Sequence, residues 1–283
     1  MSRIHTEERM NEQSGDSLPE FAHPPVNEVV CGVHFRSLEQ FLTPYLGLLW
    51  ESYQGEYSTC QEIAPLIPII ESFGDSLSWK KPEFAEIPPL PRVWFVHKNG
   101  NGIIQVQRDR FLHNWRKLDA ETKYPRYGQV IEMFLGHFET LQKFLDQHKL
   151  GSIEPLQYEM TYVNHIYRGE GWTNNGDVGK LFADFAWRAD RPRFLPEPEG
   201  INWRTTFVLP ERAGRMHVSI QNGESREDNR PLYVFELTVR GIGADKELSG
   251  IRDWFDLAHE WIVRGFADLT GTQTQTEIWR RTG

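Results

Sequence analysis

The chain has 283 residues, a formal net charge of −9, an aromatic content of 13% and two cysteines. This composition is typical of a globular protein with a large core; it excludes a disulfide framework and argues against binding duplex DNA by bulk charge. No stretch approaches 18 apolar residues and the polar N-terminus lacks the apolar core of a secretory signal, so we expect a cytoplasmic protein with no membrane segment.

Residues 1–22 are polar and are predicted to form a disordered segment, after which a first α+β half is predicted over 23–151. It opens with the alternating strand VNEVVCGVHF, and Thr43-Pro44 then begins a short helix. Residues 55–91, rich in Pro and polar groups, are predicted to be an irregular excursion covering part of the core, with IAPLIPII as its apolar patch.

Three strands and a long helix complete this half. PRVWFVH and GIIQVQ flank the turn KNGNG, since Asn-Gly readily takes the positive φ of hairpin turns, and FLHNWRK follows. YGQVIEMFLGHFETLQKFLDQHKLG carries one apolar stripe and is predicted to be a helix.

A second half, over 152–270, repeats the order. EPLQYEMTYVNHIY is a predicted strand, VGKLFADFAW a short helix, INWRTTFVLP, GRMHVSIQN and RPLYVFELTVRG three strands, and IRDWFDLAHEWIVRGFADLTG a long amphipathic helix. Each long helix carries a glycine beside a buried Phe, Gly136 and Gly265, which we interpret as allowing close approach to a sheet. Residues 271–283 form a tail that is predicted to pack back on the body.

These patterns predict an α+β fold of two pseudo-repeated β-α-β-β-β-α halves. The halves form a curved antiparallel sheet with helices on one face, the layout of TATA-binding-protein-like and helix-grip proteins. EVVCGVH (28–34) aligns with EMTYVNH (159–165), which supports the duplication. Helices on one side of the sheet leave its other face for solvent, a partner or a ligand.

Three blocks carry a resemblance to a known family. PPVNEVVCGVHF, QVQRDRFLHNW followed by YPRY, and FADLTGTQTQTEIWRR are similar to blocks of an uncharacterised, sporadically distributed bacterial protein family, and the similarity runs from Pro24 to Arg281. The resemblance implies a bacterial, cytoplasmic accessory protein of the kind found in defence and toxin–antitoxin systems. It implies no catalytic residues.

The middle block supplies a candidate binding surface on the open sheet face and its hairpin. Amides cost less to desolvate than charges, Arg offers a cationic fork and Trp a flat stacking surface. The alternative is a solvated Arg-Asp-Arg hairpin with the Trp in the core. The candidate residues are Gln105, Gln107, Arg108, Arg110, Asn114 and Trp115.

A weaker polar cluster lies on the first strand of each half. If those strands are neighbours, the side chains converge as a set of metal-ligand types; the alternative is ordinary polar alternation on an exposed face. No ligand spacing supports a metal, so neither a metal nor a cofactor is predicted. The cluster is Glu28, His34, Glu159 and His165, whereas His97, His113, His137 and His217 are interpreted as structural or solvated.

Basic residues interleaved with aromatics over 108–126 and 188–193 offer an alternative function, binding of single-stranded nucleic acid. At the C-terminus, Trp279 is the predicted anchor of the tail, with Arg280 beside it.

No catalytic motif is recognised in the sequence. The leading hypothesis is therefore a non-enzymatic binding protein that engages a protein partner, encoded nearby, through its polar sheet face. A third alternative is a small-molecule binder or enzyme with a pocket between sheet and helices.

Overall fold

A computed structural model gives the structure of the protein and describes residues 17–71, 92–185, 194–242 and 250–283. The predictions made for residues 1–16 and for the basic cluster 188–193 lie outside these residues. The described chain folds into two compact units. The larger comprises residues 25–167 and 200–262 and contains every strand of the sheet.

The described residues form one antiparallel sheet of nine strands, in the order β2-β3-β4-β5-β1-β6-β9-β8-β7. An α+β fold built on an antiparallel sheet is therefore confirmed. The sheet has one strand that the sequence did not predict, β2, within the excursion predicted to be irregular. The strands are β1 (Val26–Phe35), β2 (Thr59–Ile63), β3 (Arg92–Val96), β4 (Gly102–Gln107), β5 (Arg110–Arg116), β6 (Pro155–Tyr167), β7 (Asn202–Val208), β8 (Gly214–Glu224) and β9 (Pro231–Gly241).

Five α-helices accompany the sheet in the described ranges. They are α1 (Thr43–Glu51), α2 (Arg126–His148), α3 (Val178–Leu181), α4 (Ile251–Leu269) and α5 (Thr272–Glu277).

The two long helices pack on the same face of the sheet, which we call the back face. The Phe134 ring of α2 lies 6.3 Å from Phe111 of β5 and 5.0 Å from Phe255 of α4, centroid to centroid. Phe255 in turn lies 6.0 Å from Tyr158 of β6. Alternate residues of the central strands point to this face because successive strand side chains point to opposite sides. Aromatic rings thus fill the space between the sheet and the helices.

The glycine of α2 does not support the close approach that we expected. Gly136 lies on the exposed face of the helix, and a methyl group there would meet no atom of the described residues within 4 Å, apart from the helix backbone. Gly136 therefore does not set the distance between α2 and the sheet.

The smaller unit contains the described residues 17–24, 168–185, 194–199 and 263–283. Its core brings together residues that are distant in the sequence. The centroid of the Trp279 ring lies 6.3 Å from that of Phe21 and 5.0 Å from that of Phe266. A β-bridge pairs Phe21 with Arg281. Phe21 is buried, so ordered contacts begin before the predicted boundary at residue 22.

Candidate functional site

The face of the sheet opposite the long helices, the front face, is crossed by a segment of the protein's own chain. We call this segment, residues 64–71 with the sequence APLIPIIE, the strap. It follows β2 directly. The sequence predicted an irregular excursion here that covers part of the core; the structure places the strap on the polar front face instead.

Two glutamine side chains hold the strap by its backbone. Gln107 accepts a hydrogen bond from the Leu66 N–H at 3.0 Å and donates to the Leu66 carbonyl at 3.1 Å. Gln157 accepts from the Glu71 N–H at 2.7 Å and donates to the Ile69 carbonyl at 2.8 Å. Each amide thus binds a donor and an acceptor of the strap backbone, as a neighbouring strand would. We call these two side chains the amide clamps.

The clamps lie at the ends of one row of residues that runs across four strands. Gln107 of β4 is opposite Arg110 of β5, Arg110 is opposite His34 of β1, and His34 is opposite Gln157 of β6. Three strand spacings separate the clamps, about 14 Å, and four extended residues span about 13–14 Å. A chain of this length can therefore reach from one clamp to the other. The two residues between the clamps in the row, Arg110 and His34, are buried, with exposed fractions of 2% and 5%.

Beyond the second clamp, the carboxylate of Glu71 is held by β8. Arg215 Nη1 donates to Glu71 Oε2 at 2.7 Å, and His217 Nε2 lies 2.6 Å from Glu71 Oε1. Burial alone would raise the pKa of Glu71, but the hydrogen bonds from His217 and Arg215 outweigh it and lower that pKa below its usual value. The strap is therefore held by its backbone over β4 and β6 and by its charge at β8.

Charged side chains lie along and beside the row between the clamps. Arg110 makes a two-bond contact with the carboxylate of Asp109, at 2.9 and 3.2 Å. Arg240 Nε donates to Glu159 Oε2 at 2.5 Å, and the same carboxylate oxygen lies 3.8 Å from His34 Nε2. Burial lowers the pKa of His34 to about 4, so this imidazole is neutral at pH 7. Arg110 and Arg240 are thus each paired with an acidic side chain, Asp109 and Glu159.

The strap presents its apolar side chains away from the clamps. The exposed fractions are 39% for Leu66, 69% for Ile67, 59% for Ile69 and 44% for Ile70. Four large apolar residues exposed in one short segment form a patch of the kind that marks interaction sites. The strap is thus well bonded through its backbone and poorly buried through its side chains.

The structure joins two of the six predicted binding residues, Gln105 and Asn114, by a hydrogen bond and places a third, Trp115, on the other face of the sheet. Gln105 Nε2 donates to Asn114 Oδ1 at 2.7 Å, and Asn114 Nδ2 donates to Glu28 Oε1 at 2.6 Å, all on the front face. The prediction is wrong for Trp115. It is 3% exposed on the back face, where its ring lies 5.3 Å from Tyr124.

The predicted Arg pair of the hairpin is not an open surface either. Arg110 is buried, and the half-buried Arg108 has an Nε atom without a hydrogen-bond partner among the described residues. Arg116 donates to the Gly100 carbonyl at 2.9 Å. Of the basic residues from 108 to 126, Arg110 and Arg116 are bonded within the protein, whereas Lys117, Lys123 and Arg126 are exposed.

The weak polar cluster converges only in part. β1 and β6 are neighbours, and His34 faces Glu159 as described above. Glu28 is instead bonded to Asn114, and His165 lies opposite Val234 of β9. Among the described residues, no group of three or more His, Cys, Asp or Glu side chains is placed to hold a metal ion.

The C-terminal residues predicted as an anchor lie in the smaller unit. Trp279 is 2% exposed, and the Arg280 carbonyl accepts a hydrogen bond from the Ala22 N–H at 3.0 Å. Arg280 contributes through its backbone, and its side chain is exposed.

Four residues of the site were missed by sequence reasoning: Gln157, Glu71, Arg215 and His217. Gln157 did carry a signal. It precedes Glu159 by two residues on a predicted strand, so it shares the front face, and it is an amide like Gln107. The partners of Glu71 lie 144 and 146 positions further on, and no local pattern joins them.

Comparisons with models of protein families, with curated proteins and with solved structures give no match. The family resemblance and the functions that follow from it remain predictions. None of the described helices combines the length and apolarity needed to cross a lipid bilayer.

Proposed function

We propose that this protein is a non-enzymatic binding protein whose front face holds an extended segment of a protein partner, in exchange with the strap. The observation that carries the proposal is the pair of amide clamps. Gln107 and Gln157 bind main-chain groups, which every extended polypeptide offers, at a spacing that matches such a chain. The strap occupies this site within the molecule.

The way the strap is bound favours exchange. Its large apolar side chains are 39–69% exposed, and segments with few buried contacts open locally at low free energy. Opening would uncover a row of polar groups on rigid strands, since β1, β4, β5 and β6 are paired on both sides. A partner segment would then form the same hydrogen bonds and bury its own apolar side chains elsewhere on the partner.

We also propose that the sheet consists of two pseudo-repeated halves that meet at β1 and β6, in a TATA-binding-protein-like layout. The strand order outward from this pair is β1-β5-β4-β3 on one side and β6-β9-β8-β7 on the other. Glu28 is opposite Arg116 and Glu159 is opposite Arg240, so aligned glutamates have Arg at the same cross-strand position. The proposed setting, a bacterial defence or toxin–antitoxin system with the partner encoded nearby, rests on the sequence resemblance.

The experiment uses the full chain with a weakened strap, Leu66→Pro/Glu71→Ala. The first change removes the backbone N–H that donates a hydrogen bond to Gln107, and the second removes the carboxylate that is held at β8. The probe is a fluorescent APLIPIIE peptide with blocked termini. We expect the peptide to bind this variant at least tenfold more tightly than the unmodified protein, where the tethered strap competes at an effective concentration of about 1 mM.

Matched variants decide whether the clamps are responsible. Gln107→Met/Gln157→Met in the weakened background should abolish peptide binding, because Met keeps the shape and loses both polar groups. Ile67→Ser, which changes an exposed strap side chain, should behave like the unmodified protein. A folded weakened variant that ignores the peptide, or that binds it equally well without the amides, would refute the proposal.

A further inference from the structure

We infer that Arg215 and His217 form a carboxylate receptor, which gives the front face a preference for segments with an acidic residue at the position of Glu71. This inference rests on the proposed function and deepens it by naming the partner chemistry. The amide clamps recognise any extended backbone, whereas the receptor reads one side chain. The expected ligand is an extended, largely apolar protein segment. Its Asp or Glu is the residue whose backbone N–H donates to Gln157, as Glu71 does in the strap.

The receptor is built from one strand. Arg215 and His217 are two residues apart on β8, so their side chains point to the same face. Each contacts a different oxygen of Glu71, Arg215 at 2.7 Å and His217 at 2.6 Å. Two donors on the two oxygens of one carboxylate are a geometry that an amide or an ammonium group cannot reproduce.

A second contact orients the imidazole. His217 Nδ1 lies 3.2 Å from the Thr206 hydroxyl of β7. When Nδ1 accepts from this hydroxyl, the proton of the neutral ring is on Nε2, which faces the carboxylate. In this tautomer the imidazole is a hydrogen-bond donor toward the carboxylate.

The clamp at β6 fixes which residue reaches the receptor. Gln157 binds the carbonyl of Ile69 and the N–H of Glu71, so the residue in the receptor is the one whose own N–H is clamped. Arg240, opposite Arg215 on the neighbouring strand, is already engaged by Glu159. A segment shifted by one residue along the clamps would carry its acid away from β8, so the receptor also sets the register.

The test compares three peptides with acetylated and amidated ends, APLIPIIE, APLIPIIQ and APLIPIIK, on the full-length Leu66→Pro/Glu71→Ala protein. We expect the Glu peptide to bind at least tenfold more tightly than the Gln peptide and the Lys peptide to bind most weakly. Raising the salt concentration should weaken the Glu peptide and leave the Gln peptide nearly unchanged, because only the former gains ionic hydrogen bonds.

Substitution at Arg215 separates recognition from folding. Arg215→Glu should invert the order, so that the Lys peptide becomes the tightest, and Arg215→Gln should bring the Glu-to-Gln ratio close to one. Equal binding of the Glu and Gln peptides would overturn the receptor and leave the proposed polypeptide-binding function standing. Failure of all three peptides to bind the folded variant would overturn both.

Discussion

The imidazole rings of His113 and His137 lie with their centroids 5.2 Å apart in the interior of the larger unit, both within reach of one tyrosine. Tyr57 Oη is 2.8 Å from His137 Nε2 and 3.4 Å from His113 Nε2. His113 is 1% exposed, and its Nδ1 has no hydrogen-bond partner among the described residues. Burial is the largest cause that lowers the pKa of His113, to about 3, and that of His137, to about 4.

This arrangement predicts that acid destabilises the fold well above the pH at which carboxylates protonate. In the unfolded chain a histidine takes up a proton near pH 6.5, whereas His113 in the folded protein stays neutral until about pH 3. The unfolded state therefore binds more protons between these values. The stability that His113 contributes is complete above pH 6.5 and falls by about 1.4 kcal/mol per pH unit below it.

Urea unfolding at several pH values measures this slope. His113→Leu should remove its share, so that the loss of unfolding free energy between pH 6.5 and pH 4.5 becomes smaller by about 2–3 kcal/mol. A variant with the same pH slope as the unmodified protein would contradict the assignment of His113 as a neutral interior group.

The contacts of the Glu71 carboxylate predict that the strap can open locally while the sheet stays folded. Glu71→Gln replaces ionic hydrogen bonds to Arg215 and His217, which are worth about 1.5–3 kcal/mol each, by weaker neutral ones. Because the rest of the strap is exposed, the change should raise the local opening of residues 66–71 about tenfold or more. Hydrogen exchange of the strap peptide, followed by mass spectrometry, measures this opening.

The contact between Glu71 and β8 is also expected to weaken in acid. Here the stabilising form is the charged carboxylate, whereas for His113 it is the neutral imidazole. The pKa of Glu71 is lowered in the folded protein, so its stabilising effect is present above its usual value and is lost as the pH falls through the lowered one. Ile70→Ser, a change on the exposed side of the strap, should leave the exchange rates unaltered. Equal rates in Glu71→Gln and the unmodified protein would mean that the carboxylate does not hold the strap.

The first strand and both long helices were readable from the sequence because each has one apolar side and one polar side. Alternation predicted β1, and the apolar stripes predicted the two long helices. Strand β2 gave no such signal, since four of its five residues are exposed and it pairs only with β3. A strand at the edge of a sheet with little burial on either face has no apolar period to detect.

The error at Trp115 has a simple geometric cause. Gln107 and Arg110 are directly opposite across a two-residue turn, so they share a face. Counting from Arg110 in steps of two reaches Asn114, which leaves Trp115 on the other side. The amides were assigned correctly to the front face, but no local pattern showed that a distant segment of the same chain would bind to them.

Gly136 predicts a stabilising substitution. It lies in the middle of α2 on the exposed face, where a methyl group meets no described atom within 4 Å outside the helix backbone. Glycine inside a helix is about 1 kcal/mol less favourable than alanine, so Gly136→Ala should raise the free energy of unfolding by about that amount.

Gly241 supplies the matched contrast. A Cβ atom there would lie 2.0 Å from the Ala213 carbonyl oxygen, a backbone atom that cannot move aside without disturbing the β8–β9 pair. Gly241→Ala should therefore lower the unfolding free energy measured in urea. If both substitutions changed the unfolding free energy in the same direction, the close contact between backbone atoms at Gly241 would be refuted.

The contacts of Trp279 predict that this one side chain holds residues 17–24 and 272–283 in place. Its ring contacts Phe21 and Phe266, and loss of a buried aromatic ring costs about 3–5 kcal/mol, so Trp279→Ala should greatly increase hydrogen exchange of residues 17–24 and 272–283. Trp279→Phe should cost far less, because it keeps a ring in place and removes an indole N–H that has no partner among the described residues. Equal effects of the two substitutions would show that the ring contacts do not hold these segments together.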